Sequence, residues 1–246
     1  MAARIVSRSR LYPPNFSPDI LIVSSFARGR ERMEDRTSAG LYLEMTNAAP
    51  DDYLARRQAA VRALPGAGTT TLWRNQKCGR EDYPRTTAEF ETLAVYEVEG
   101  GFDPPVCEGD VWGHHFERVP RPAQGILGAG PTLGLEVVLV SPSTPEAKQD
   151  LRDWADFVHI REIAATAVPG MTMITPYENK ADGDPRFLHL YEIDESDAEA
   201  VFQQMAPLTI GRLRARGKQA VKQWMGNPAL RIDYINSFSR MGGGDQ

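Results

Sequence analysis

The feature that most constrains this chain is a weak internal repeat. Leu93-Ala94-Val95-Tyr96-Glu97-Val98 reads like Leu188-His189-Leu190-Tyr191-Glu192-Ile193, about 95 residues on. Upstream, Leu64-Pro65-Gly66 reads like Val168-Pro169-Gly170. A strand-like run follows each Pro-Gly, and Trp73-x-Asn75 lines up with Tyr177-x-Asn179. A helical segment precedes each Pro-Gly, carrying Arg57 in one copy and Arg161 in the other. Four matches in one order predict two copies of one folding unit.

The second copy is the more complete. Leu135 to Val140 is an apolar strand. Pro145 opens a helix, capped by Ser143 or Thr144, that stops near Pro169-Gly170. Strands are predicted over Met171–Glu178 and Phe187–Ile193, joined by a hairpin loop rich in Asp and Gly. Asp197 to Trp224 is helical with a break expected near Pro207, and Leu230 to Phe238 is the last strand. This β-α-β-β-α-β order is the ferredoxin-like split unit. The first copy has strands at about 41–45, 67–75, 91–98 and 111–119, with a helix from Pro50 to Ala63. Its second helix is missing, and Pro18 to Met33 is the candidate to fill that place. The expected class is α+β: two ferredoxin-like repeats forming an α+β barrel within one chain. The divisions are an N-terminal arm (1–38), a first repeat (39–120), a linker (121–133), a second repeat (134–240) and a tail (241–246).

Composition sets limits on function. With 41% hydrophobic and 25% charged residues, the chain can build a core without disulfide or metal staples. A net charge of −5 speaks against a nucleic-acid binder. No apolar run approaches a membrane span, and MAARIVSRSR lacks the apolar stretch of a secretory signal, so a cytoplasmic location is expected. Cys78 and Cys107 match no metal spacing and are expected to be free thiols. No dinucleotide fingerprint, P-loop, calcium loop or nucleophile elbow is present.

Two units with a helix, then Pro-Gly, then a strand resemble the dimeric α+β barrel superfamily in a tandem-repeat form. The segment Asp153-Trp154-Ala155-Asp156-Phe157-Val158-His159-Ile160-Arg161-Glu162-Ile163, followed by Val168-Pro169-Gly170, is similar to a signature of its EthD-like and small aromatic- and polyketide-processing enzymes. Arg161 departs from it, standing where a proline often follows His-Ile, and the first copy has Ala55 in place of the histidine. The resemblance implies a homo-oligomer and one histidine site per chain, in the second half. Members include cofactor-free monooxygenases, isomerases, cyclases, dehydratases and haem enzymes, so the fold does not give the reaction.

Imidazole titrates near neutrality, and each histidine is therefore a candidate for proton transfer. His159 is supported by the resemblance but lies off the apolar stripe of Leu151, Trp154, Phe157, Val158 and Ala165. Arg161 and Arg57 lie on their stripes, where ion pairs with Glu192 and Glu97 are expected. His189 and Tyr191 share a strand face with Phe187, and Leu188 and Leu190 take the other. If His189 and Tyr191 point into the barrel, they are an acid/base and hydrogen-bonding pair in an apolar cavity; the alternative is a core histidine. In Trp112-Gly113-His114-His115-Phe116-Glu117-Arg118, at most one of His114 and His115 enters a given cavity, and His115 with Glu117 lacks a third metal ligand. The expected catalytic set is His159, His189, His115 and Tyr191. The expected substrate contacts are Tyr177, His114, Arg118, Trp112 and Phe187. The function expected is a cofactor-independent lyase or isomerase acting on a small apolar or aromatic molecule, with neither metal nor organic cofactor and no nucleic-acid or membrane partner. The alternatives are a haem-binding or cofactor-free oxygenase of the same fold and a non-catalytic binding protein.

Overall fold

The structure, a computed structural model, describes residues 39–126 and 130–242. The segment Pro18 to Met33 lies outside the described residues. The first repeat contains β1 (Gly40–Thr46), a helix α1 built from Pro50–Tyr53, a π turn over Leu54–Gln58 and Ala59–Arg62, then β2 (Ala67–Asn75), β3 (Thr92–Val98) and β4 (Trp112–Arg118). A two-residue strand, β5 (Gln124–Gly125), comes next. The second repeat contains β6 (Gly134–Pro142), helix α2, β7 (Met171–Asn179), β8 (Phe187–Ile193), α3 (Ala198–Arg214), α4 (Lys218–Met225) and β9 (Leu230–Arg240). Helix α2 opens with a single tight turn, Pro145–Ala147. It continues as Lys148–Trp154, a π turn over Ala155–His159, and Ile160–Thr166. No side chain caps its start; Pro145 sets the first turn.

The strand order is β4-β1-β3-β2-β9-β6-β8-β7, and β4 also pairs with β7, so the sheet closes on itself. Each of these pairings is antiparallel, and closure leaves the eight principal strands without a free edge. The two seams obey the repeat. Asn75 faces Phe238 and Trp73 faces Arg240 at one; Asn179 faces Phe116 and Tyr177 faces Arg118 at the other. Tyr96 and Tyr191 hold equivalent places: Tyr96 pairs with Tyr42 on β1, and Tyr191 pairs with Glu136 on β6.

The repeated Pro-Gly has a conformational cause. Gly66 and Gly170 take φ of +81° and +83°, a region open to glycine but strained for other residues. Each turns the chain from the end of a helix into β2 or β7.

The inside of the barrel is a packed core. Leu41, Leu43, Met45, Leu93 and Val95 meet their counterparts Leu135, Val137, Leu139, Leu188 and Leu190, with Phe116 and Phe238 between them. The helices cover the outer face. On the second repeat, α2, α3 and α4 lie over Tyr191, Ile193 and Ile174. The first repeat has only α1, over Tyr42, Ala94, Tyr96 and Val98. Between Val98 and Trp112 the chain is irregular.

Two helix expectations need correction. Helix α3 runs straight through Pro207, which sits on the exposed side, and the break comes instead at Gly217 with φ +103°. The π turn in α2 adds a residue to one turn and rotates the rest of the helix, so Leu151, Ala155, Ile160 and Ile163 form the buried face. Arg161 is therefore exposed, not central to an apolar stripe. Arg57 pairs with Glu44, not Glu97.

Candidate functional site

A cavity of about 230 Å³ lies between the outer face of the second repeat's sheet and its helices. Its floor comes from alternate residues of three neighbouring strands. Val138 pairs with His189 on one side and Ile235 on the other, and Val140 with Ile232. Its roof is Leu151, Trp154, Ala155 and His159 of α2, Phe202, Met205 and Ile210 of α3, and Trp224 of α4. Tyr83, from the long loop between β2 and β3, closes one side. The walls are apolar apart from His159, His189 and the phenols of Tyr83 and Tyr191, the indole nitrogens being engaged elsewhere.

His159 ends the π turn and is clamped. Its ring stacks on Trp224 at 5.1 Å and 5°, with Trp154 at 4.9 Å. Nδ1 lies 3.0 Å from the carbonyl oxygen of Trp224. A carbonyl only accepts, so Nδ1 carries the hydrogen and Nε2 carries the lone pair. The Trp224 indole donates back to the His159 carbonyl at 3.2 Å, and the Trp154 indole donates to the Gln223 carbonyl. Burial lowers the pKa of His159, opposed by the Trp224 carbonyl. His189 is 7% exposed, and its ring has no hydrogen-bond partner among the described residues. Burial, reinforced by the charge of a protonated His159, pushes its pKa down to about 3. Burial also raises Tyr191, aided by Glu136 and Tyr83. At neutral pH the cavity thus holds two uncharged imidazoles and two intact phenols.

A folded-state pKa below the unfolded value links pH to stability. His189 must stay neutral in the fold but protonates near pH 6.5 once unfolded, so stability falls as pH drops from about 6.5 toward 3. Replacing it with Phe is expected to flatten that acid limb. Urea unfolding at pH 7 and pH 4.5 checks this: an equal acid loss in H189F and wild type would disprove the neutral His189.

The other sequence candidates lie elsewhere. His189 and Tyr191 do not point into the barrel, because the β8 register sends Leu188 and Leu190 there. Phe187 packs beside the cavity with Val140 and Leu151. His115 lies on the first repeat's outer face, 5.5 Å from the Phe102 ring and paired in register with Tyr42, and its buried Nδ1 is unpartnered among the described residues. Tyr177 fills the barrel core, and Trp112 packs against it. His114 lies tilted against Trp112 at 4.3 Å and meets Asn179 at 3.0 Å. Arg118 sits opposite Tyr177 at the seam. Among the described residues no cluster of metal-ligating side chains occurs, and both cysteines are free thiols. The sequence reading missed Trp224, Tyr83 and Glu136. For Glu136 the signal was available: an acid inside the apolar strand Leu135–Val140.

The resemblance raises haem as an occupant. A neutral imidazole whose Nδ1–H is held by a carbonyl is a suitable axial donor. The space is not suitable. At about 230 Å³ the cavity lies below the ~300–1,000 Å³ usual for small-molecule sites, with room for a molecule of a few fused rings and not for a tetrapyrrole macrocycle. No Lys or Arg lines it to pair with propionates. These residues do not fit haem.

No protein-family model matches the chain, and no curated protein matches it in sequence. Solved structures resemble it in fold. An anthrone oxidase-like protein is 13% identical with a TM-score of 0.49, over 84% of this chain and 94% of that one. A major regulator of staphylococcal pathogenesis is 9% identical with a TM-score of 0.46, over 82% and 99%. A chlorite dismutase variant from Candidatus Nitrospira defluvii is 12% identical with a TM-score of 0.43, over 85% and 94%. Likeness at this level concerns chain course and not reaction. Among the described residues no helix is long and apolar enough to cross a membrane.

Proposed function

We propose that the cavity takes a small planar apolar or aromatic molecule and that His159 Nε2 removes an acidic C–H proton from it, without an organic cofactor. One observation carries this reading: a clamped imidazole whose free lone pair belongs to a largely apolar, helix-covered cavity. The imidazolium formed keeps its Nδ1–H bond to the Trp224 carbonyl and lies against the stacked face of the Trp224 indole, which favours a cation, with the tilted Trp154 ring beside it. Negative charge develops on the substrate oxygen. Neutral His189 and Tyr191 are donors of the right kind for it, and in a dry site such hydrogen bonds are strong. The apolar walls keep water from quenching the carbanion. Return of the proton at another carbon gives an isomerisation. Loss of a β-substituent gives an elimination.

Anthrone, the compound in the name of one structural neighbour, has such an acidified methylene and is the probe. Wild-type protein is expected to speed exchange of the methylene deuterium of labelled anthrone into water, and an oxygen electrode separates simple exchange from oxygenation. Added haemin is expected to give no stoichiometric shift of its visible absorption. A tight one-to-one haemin complex with unchanged anthrone exchange would reverse the assignment.

A further inference from the structure

Beside the cavity, one strand row further along the sheet, lies a buried acid that the proton abstraction above does not use. Glu136 on β6 is fully buried and sits between Tyr191 on β8 and Ser237 on β9. Its Oε1 has no hydrogen-bond partner among the described residues. Its Oε2 lies 2.5 Å from Ser237 Oγ, and the same Oγ lies 2.7 Å from Oε2 of Glu199 on α3. A hydroxyl has one hydrogen and can donate to only one of these carboxyl groups. The other contact requires a proton on the carboxyl side.

The surroundings decide which acid holds it. Glu199 is half-buried and forms an ion pair with Arg80, whose guanidinium stacks over the Phe202 ring at 5.1 Å. Glu199 also accepts from Gln203, and its pKa is lowered by Ser237, Gln203 and Arg80 against the opposing effect of burial. Glu136 has no ion pair among the described residues. The charged and titratable groups facing it are Arg80 and Tyr83 from the loop, Glu199 from α3 and Tyr191 from β8. Burial pushes its pKa up to about 8, with Glu199 adding to the rise and Ser237 and Arg80 opposing it. Glu136 is the neutral acid: its Oε2–H donates to Ser237 Oγ, and Ser237 donates to the Glu199 carboxylate.

We propose that Glu136, Ser237 and Glu199 form a proton relay between the cavity and the solvent. The relay rests on the proton-transfer reading of the cavity. A proton leaving the cavity past Tyr191 adds to Glu136 Oε1. The hydrogen on Oε2 passes to Ser237 Oγ, and the serine hydrogen passes to Glu199 Oε2. Glu199, partly exposed, releases it to water, and rotation of the Glu136 carboxyl group and of the Ser237 hydroxyl then restores the starting state. The reverse sequence delivers a proton. No bond between heavy atoms changes, and water is the only other participant. Glu136 is thereby a positioning and relay residue, and His159 remains the base.

Two measurements test this. Difference infrared spectra of wild type against E136Q at pH 6 are expected to show a protonated carboxylic C=O band that titrates away near pH 8 and persists in S237A. With deuterated anthrone as probe, E136Q and S237A are each expected to slow label release by about 100-fold, within the range of acid–base assistance. E199Q should do the same, and folding of each variant is checked by circular dichroism. Absence of the carboxylic band in wild type overturns the relay, as does release at the wild-type rate in folded E136Q and S237A while H159A abolishes it. Failure of wild type itself to release label overturns the proton-transfer reading instead, and the infrared band then still judges the protonation of Glu136.

Discussion

Replacing Glu44 by Ala should cost about 3–5 kcal/mol of stability, the scale seen when one partner of a buried ion pair is removed. Glu44 is fully buried on β1, at the first-repeat position that Val138 holds in the second. Its Oε1 accepts from Tyr42 at 2.8 Å and from both Nε and Nη2 of Arg57, and its Oε2 accepts from Tyr53 at 2.5 Å. Tyr53 also meets Tyr96 at 2.5 Å. Alanine would leave a guanidinium and two phenols competing for acceptors under α1, next to a cavity the size of the lost side chain. E44Q keeps the volume and one acceptor oxygen and should lose less. Urea unfolding of wild type, E44A and E44Q gives the comparison; a loss under about 1 kcal/mol in E44A, the level of an ordinary exposed pair, means that the network is not stabilising. The network also explains the asymmetry of the repeats. In the first, the space beneath the helix is filled by Tyr53, Arg57 and Tyr96; in the second, α2 brings His159 and the space is open.

The architecture was legible because its signals are local and periodic. The repeated Leu-x-x-Tyr-Glu run and the Pro-Gly turns located β3, β8 and both helix ends, since alternation and a left-handed turn leave direct traces in sequence. Facing was harder. Phe187–Ile193 is apolar on both sides, and such a strand does not reveal which side is the barrel. The sequence therefore allows either pair to face inward, and the structure puts Leu188 and Leu190, not His189 and Tyr191, in the interior. The π turns were hidden for another reason. A helical wheel assumes a constant angle per residue, and an inserted residue resets it without changing composition. This misplaced Arg161 and hid that both helices carry a π turn, one ending on Gln58 and the other on His159. Pro207 misled because proline on an exposed helical face can be accommodated, while Gly217 supplies the positive φ that ends the run. The pairing of Arg57 with Glu44 and the contact of Ser237 with two acids are long-range facts of register, which no spacing along the chain encodes.

The largest functional effect is expected at His159. H159A should reduce release of deuterium from labelled anthrone by about 100-fold or more, the usual worth of a positioned base. His189 cannot take over, since burial, the main cause of its lowered pKa, persists in the variant and keeps it a weak base at neutral pH. Tyr191 cannot either, since burial raises its phenol out of range. The variant will also be less stable, by about 1–3 kcal/mol, because the Trp224 carbonyl loses its donor and the imidazole leaves a gap between two indoles. Activity must therefore be read well below the melting temperature. Two controls separate chemistry from packing. Free imidazole fits the vacated slot and should restore part of the exchange in H159A, with a pH dependence that follows its own ionisation. H159Q fills the slot and can donate to the Trp224 carbonyl, yet offers no basic nitrogen, so it should recover stability without recovering exchange. The pH profile of the wild type carries the same message. Because the pKa of His159 is lowered, exchange should hold its full rate to below about pH 6.5 and decline only as the imidazole protonates. Wild-type exchange in folded H159Q would remove His159 from the chemistry and leave it as the clamp that shapes the cavity.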